Sequence, residues 1–204
     1  MAVLAVSKSV GVERLRAAVT AGMELFGENR VQEADDKVGR LPGARWHLVG
    51  HLQSNKAARA VELFEAVHSV DSVALARRLD DLARRREGAR RLPVYLQVNV
   101  DRDPSKWGFG PDELERALPD LCGLTHLDLL GLMTVGRLVA KPEDARPTFS
   151  CLRLLADRLR TADSRLGTGL SMGMSDDFEV AVEEGATVIR IGRQIFGQRP
   201  AAGG

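Results

Sequence analysis

Cysteine is nearly missing: Cys122 and Cys151 are the only two in 204 residues. Two thiols make no disulfide framework, and neither stands among other metal-ligating residues at a recognisable spacing. A stapled secreted fold and a structural zinc are therefore excluded, and a reducing, cytoplasmic compartment is the expectation. No apolar run approaches the roughly 20 residues that a spanning helix needs. The opening MAVLAVSK is too short and too soon polar for a signal peptide. Charge of one sign is lacking too. The 29 basic and 28 acidic side chains leave a net charge of +1, no field that would draw nucleic acid or an anionic membrane. Lysine occurs five times, and tyrosine once, at Tyr95. Both scarcities narrow the chemistries available.

The rest of the composition, 44% hydrophobic and 28% charged, is that of a globular chain long enough for one core. Short apolar runs alternate with amphipathic stretches throughout. The strand candidates are 3–6, 25–27, 46–50, 66–70, 94–100, 129–134, 169–172 and 188–191. Each is bounded by polar or turn-forming residues, as buried parallel strands are. Helical periodicity runs over 72–87, 112–121 and 148–159, and Ser175-Asp-Asp reads as the opening of a seventh helix. Eight such units without a long linker predict a single (β/α)8 TIM-type barrel over 1–199, with a disordered tail at 200–204. A doubly wound open sheet is the alternative, but no GxGxxG follows the first strand.

A barrel gathers its chemistry at the C-terminal ends of its strands. Lys8 ends the first. A desolvated amine there could attack a carbonyl, although a strand-end lysine can also simply reach for water. The loops after strands seven and eight bring Ser175, Gly192 and Arg193, a set of donors suited to phosphate; capping and an ordinary turn would use the same residues. Arg190 precedes Gly192 by two and projects to the same side. An amine, a phosphate cup and an arginine at one ring describe a site for pyridoxal 5′-phosphate (PLP). An arginine facing the pyridine nitrogen would leave it unprotonated, so the ring would be a poor electron sink. Asn29 and His51 are expected near the ligand, each with a turn or packing role as its alternative, and Met172 as an apolar wall beside Met133. Lys56 and Lys106 could be further docking points or plain surface lysines. His47, His68 and His126 read as structural.

Six segments carry a family resemblance: Leu4-Ala-Val-Ser-Lys8, Phe26-Gly-Glu-Asn-Arg-Val-Gln-Glu33, 46–56 (WHLVGHLQSNK), Gly131-Leu-Met133, 170–179 (LSMGMSDDFE) and Ile189-Arg-Ile-Gly192 with Ile195-Phe-Gly197. In order and over essentially the whole chain, they resemble the PLP homeostasis protein family. The resemblance implies a PLP fold type III-like barrel, similar to the N-terminal domain of alanine racemases without their second β domain. It implies PLP as an aldimine on Lys8, Ser175 at the phosphate, and Arg190 with Gly192 as the strand-eight motif. Two departures stand out. Family members carry a helix ahead of the first strand, whereas the lysine is here residue 8, and Arg193 stands where many members have a small hydroxyl residue.

The implied function is to hold and deliver PLP in intracellular vitamin B6 and amino-acid homeostasis, with no catalytic residues, no metal and no committed turnover. Apo PLP-dependent enzymes would be the recipients, and the working form a monomer. Independently, racemisation needs a second base opposite the lysine, and Tyr95 lies early in strand five, away from the mouth. The competing readings are a small PLP-dependent amino acid racemase and a phosphate-binding barrel with no covalent ligand.

Overall fold

The computed structural model describes residues 1–86, 90–137 and 139–197. Eight parallel strands close a barrel in chain order: β1 (Ala2–Val6), β2 (Leu25–Glu28), β3 (Arg45–Leu48), β4 (Ala66–Val70), β5 (Leu92–Gln97), β6 (Leu127–Met133), β7 (Gly169–Met174) and β8 (Val188–Ile191), with β8 returning to β1. Around them run α1 (Val12–Thr20), α2 (Val31–Val38), α3 (Ala57–Leu63), α4 (Val73–Ala83), α5 (Pro111–Cys122), α6 (Arg146–Ala162), α7 (Phe178–Glu183) and α8 (Arg193–Phe196). The tail expected at 200–204, and the barrel boundary at 199, lie outside the described residues. Among the described residues no helix is long and apolar enough to cross a membrane.

The strands are short and nearly uniformly apolar because both faces are covered; all five residues of β4 are buried. Alternation then sorts the side chains into two cores. One fills the space between strands and helices, where Phe26 stacks on Trp46 with centroids 5.3 Å apart. The other, inside the barrel, is a small apolar cluster of Leu4, Tyr95, Met133 and Val188. Leu4 pairs in register with Arg190, and Val6 with Gly27, so these residues share the inner face.

Two helix boundaries differ from the sequence reading. Ser72 caps α4 as its pattern suggests, accepting from Leu75 N at 3.2 Å, but the helix ends at Ala83 and not at Glu87. The apolar stripe stops there, and Arg84, Arg85 and Arg86 give a further turn nothing to bury. The second correction concerns Ser175, which does not open the seventh helix. Asp177 is the N-cap of α7, and its Oδ1 accepts from Met174 N at 2.6 Å, closing a turn that leaves Ser175 in the loop.

Candidate functional site

The C-terminal mouth holds a cavity of about 390 Å³. Lys8, Asn29, Ser175, Arg190, Gly192 and Arg193 all line it, from four of the eight strand ends or the loops that follow them. Val6 and Val49 supply apolar wall. At the back of the mouth, β8 runs so close to β1 that a Cβ on Gly192 would sit 3.2 Å from the Val6 carbonyl oxygen. Gln194 Nε2 donates to the Ser175 carbonyl at 3.1 Å, tying the loop after β8 to the loop after β7. That bond joins two loops whose residues Ser175, Gly192 and Arg193 line the same cavity.

Two expected residues lie elsewhere. Met172 faces outward and is fully buried in the barrel–helix core. At Gly173 (φ +90°) the chain bends and the register with β8 shifts, so Met174 pairs with Arg190 and lines the cavity instead. His51 turns to a second, shallower pocket, where its Nδ1 lies 2.9 Å from Asp71 Oδ2 and its ring stacks on Trp107 at 3.9 Å. Lys106 belongs to that pocket too, donating to the Val135 carbonyl at 3.1 Å. Lys56 lines neither.

Arg190 is the cavity's buried cation, 5% exposed. Its Nη1 donates to the Ser171 carbonyl at 2.8 Å and to Ser171 Oγ at 2.9 Å, and Nη2 donates to the Thr134 carbonyl at 2.7 Å. All three acceptors are neutral. Burial lowers the guanidinium to about 10, opposed by the nearby Asp177 carboxylate, so it remains charged at neutral pH. A desolvated cation held by neutral oxygens and facing a cavity suits an electron-rich ligand atom.

Residues 1–200 match the family of the alanine racemase N-terminal domain. The pyridoxal phosphate homeostasis protein of Synechocystis sp. is 40% identical over 200 residues, covering 96% of this chain and 90% of that protein. The protein of the same name from Pseudomonas aeruginosa is 42% identical over 96% of this chain and 84% of its own. The chain belongs to the pyridoxal phosphate homeostasis protein family. Among solved structures, PipY of Synechococcus elongatus, determined with PLP bound, superposes with a TM-score of 0.89 at 44% identity, covering 97% of this chain and 92% of PipY. An alanine racemase of Clostridium difficile shares the fold alone, at TM-score 0.81 and 15% identity over 53% of its length.

Within this pyridoxal phosphate homeostasis family member, the rim of the cavity adds a feature absent from the sequence reading. Asp176, from the loop after β7, also lines the cavity and forms an ion pair with Arg193 from the start of α8. Both side chains are more than half exposed. The sequence held a signal for this, because Asp176 sits inside the same SMGMSDD segment that offers Ser175. The chemistry of the donor set fits PLP: an amine at Lys8, hydroxyl and peptide donors at Ser175, Gly192 and Arg193, and the buried guanidinium of Arg190.

Proposed function

We propose that this protein binds PLP in the mouth cavity and passes it to apo PLP-dependent enzymes, without committed turnover of amino acids. The observation that carries the reading is the convergence of Lys8, Ser175, Gly192, Arg193 and Arg190 on one cavity of about 390 Å³. When bound, PLP supplies an electrophilic aldehyde on an electron-withdrawing ring. Lys8 would hold the aldehyde carbon through its amine. Ser175, with the Gly192 and Arg193 peptides, would take the phosphate, with Asn29 lining the same cavity. Arg190 would face the ring nitrogen as a donor, and because it keeps its own proton it would leave that nitrogen unprotonated. The ring is then a weak sink for a carbanion.

The tyrosine count supports a carrier over a racemase. Tyr95, the only tyrosine, is 6% exposed, and its ring lies 4.4 Å from that of His68 inside the barrel. It has no access to the mouth cavity, and one missing acid–base partner forfeits roughly 10²–10⁴-fold in rate. A cytoplasmic, monomeric working form completes the proposal, the compartment being in keeping with the scarcity of cysteine.

Incubation with PLP, reduction with borohydride and peptide mapping test the reading. The reduced adduct is expected on Lys8 and lost in Lys8→Ala, with the fold intact because a mouth residue adds little to the core. A stable reducible adduct surviving in Lys8→Ala would overturn the assignment. A kcat near the ~10 s⁻¹ typical of enzymes on any common amino acid would restore the racemase reading.

A further inference from the structure

Arg190 is one end of a chain of polar groups that crosses the barrel interior to the part-buried His47. Ser171 Oγ, which accepts from Arg190 Nη1 at 2.9 Å, lies 2.8 Å from His68 Nδ1. His68 Nε2 lies 2.9 Å from His47 Nδ1. Four strands contribute, β8, β7, β4 and β3 in turn. Ser171 and His68 are both completely buried.

The direction of donation follows from the chemistry of the first member. A guanidinium only donates, so Ser171 Oγ accepts from it and sends its own proton to His68 Nδ1. His68 then carries its proton on Nε2 and donates to His47 Nδ1. Burial keeps both rings neutral. It lowers His47 to about 4 and His68 well below the usual imidazole range, where His47 and the Arg190 charge push it further. Lone pairs therefore point towards the cation along the whole chain.

Such a chain is costly where an apolar side chain would fill the same space. Apolar packing alone would leave Arg190 bonded to two carbonyls, with the Ser171 hydroxyl free to rotate. Resting on the reading of the cavity as a PLP site, we infer that His68 is a positioning residue for the cofactor, acting through Ser171 to fix the plane in which Arg190 meets the ring nitrogen. Its contribution is thus specific to a ligand that has that nitrogen.

The test compares PLP with its 1-deaza analogue, in which the ring nitrogen is a C–H, by equilibrium binding to the full chain. The wild-type protein is expected to prefer PLP. His68→Leu, close in volume but without an acceptor, should lose on the order of tenfold in PLP affinity, the worth of a hydrogen bond to a charged group, while analogue binding changes less than about twofold. His68→Asn keeps an acceptor near the Nδ1 position and should restore most of the preference. Ser171→Ala should behave as His68→Leu and serves in its place if that variant does not fold. Equal losses for both ligands, or a preference unchanged in both variants, would overturn the inference. A wild-type protein that takes up no PLP at all would instead overturn the proposed function beneath it.

Discussion

Lys37 Nζ donates to the Ser7 carbonyl at 2.8 Å, gripping the peptide that carries Lys8 from outside the barrel. The same ammonium lies 2.5 Å from Glu28 Oε1, which also accepts from Ser7 Oγ at 2.6 Å. Glu28 is fully buried, and burial pushes its carboxyl up despite both partners. One buried ion pair therefore ties the ends of β1 and β2 to α2, directly behind the lysine that faces the cavity.

Lys37→Met should accordingly cost more than a surface lysine would. Removing one member of a buried pair typically costs ~3–5 kcal/mol, because the remaining charge is left without compensation. The double variant Lys37→Met with Glu28→Gln should recover much of that loss. Denaturant unfolding of the two variants and the wild type checks this. Equal stability of Lys37→Met and wild type would mean that the pair does not brace the site.

The barrel was legible because buried parallel strands announce themselves as short apolar runs, and all eight lie where their runs do. The strand ends were legible for the same reason, and six of the residues singled out there, Lys8, Asn29, Ser175, Arg190, Gly192 and Arg193, line one cavity. Alternation fails where the backbone departs from a regular strand. Gly173 exchanges Met172 for Met174, and no pattern in the sequence marks that bend. His51 follows β3 on a loop whose direction is set by contacts from Asp71 and Trp107, distant in sequence. Lys37 and His68 were opaque for another reason. A polar residue in a strand or on a helix looks the same whether it meets water or a buried partner.

The phosphate cup makes a selective prediction. Ser175→Ala should weaken PLP binding by about tenfold to a hundredfold, the equivalent of one charged hydrogen bond of roughly 1.5–3 kcal/mol. Pyridoxal, which lacks the phosphate, should bind the variant as it binds the wild type. Parallel titrations of both ligands decide the matter, since an equal loss would place Ser175 away from the phosphate.

Asp176 would oppose a phosphate held by the neighbouring donors. Its ion pair with Arg193 is solvent-exposed on both sides and contributes little to stability. Its carboxylate, however, lines the cavity beside Ser175 and Arg193, where the proposed phosphate would stand, and holds the Arg193 guanidinium. Asp176→Asn should therefore bind PLP roughly twofold to tenfold more tightly at low ionic strength, with slower release to an apo enzyme. The gain should shrink as salt rises. Weaker binding by the variant would show instead that Asp176 acts by orienting Arg193.

Acid should unfold this protein earlier than its surface carboxylates alone would dictate. His47 titrates at about 4 in the folded state, mainly through burial, with Arg45 lowering it further and Glu65 opposing. An unfolded histidine titrates near ~6.5, so between those values the unfolded chain binds a proton that the native state refuses. Stability is then complete above about pH 7 and falls as pH drops, by roughly 3 kcal/mol at pH 4 from His47 alone. His68, lowered in the same direction, adds to the loss. The acids Asp103, Asp112 and Glu143, each held low by a hydrogen-bonded neighbour, act only at more acid pH, as their folded-state values are approached. Thermal melts from pH 8 to pH 4 should show this early decline in the wild type and a flatter profile in His47→Gln with His68→Asn. An unchanged slope in the double variant would assign the acid sensitivity elsewhere and remove the two imidazoles as its cause.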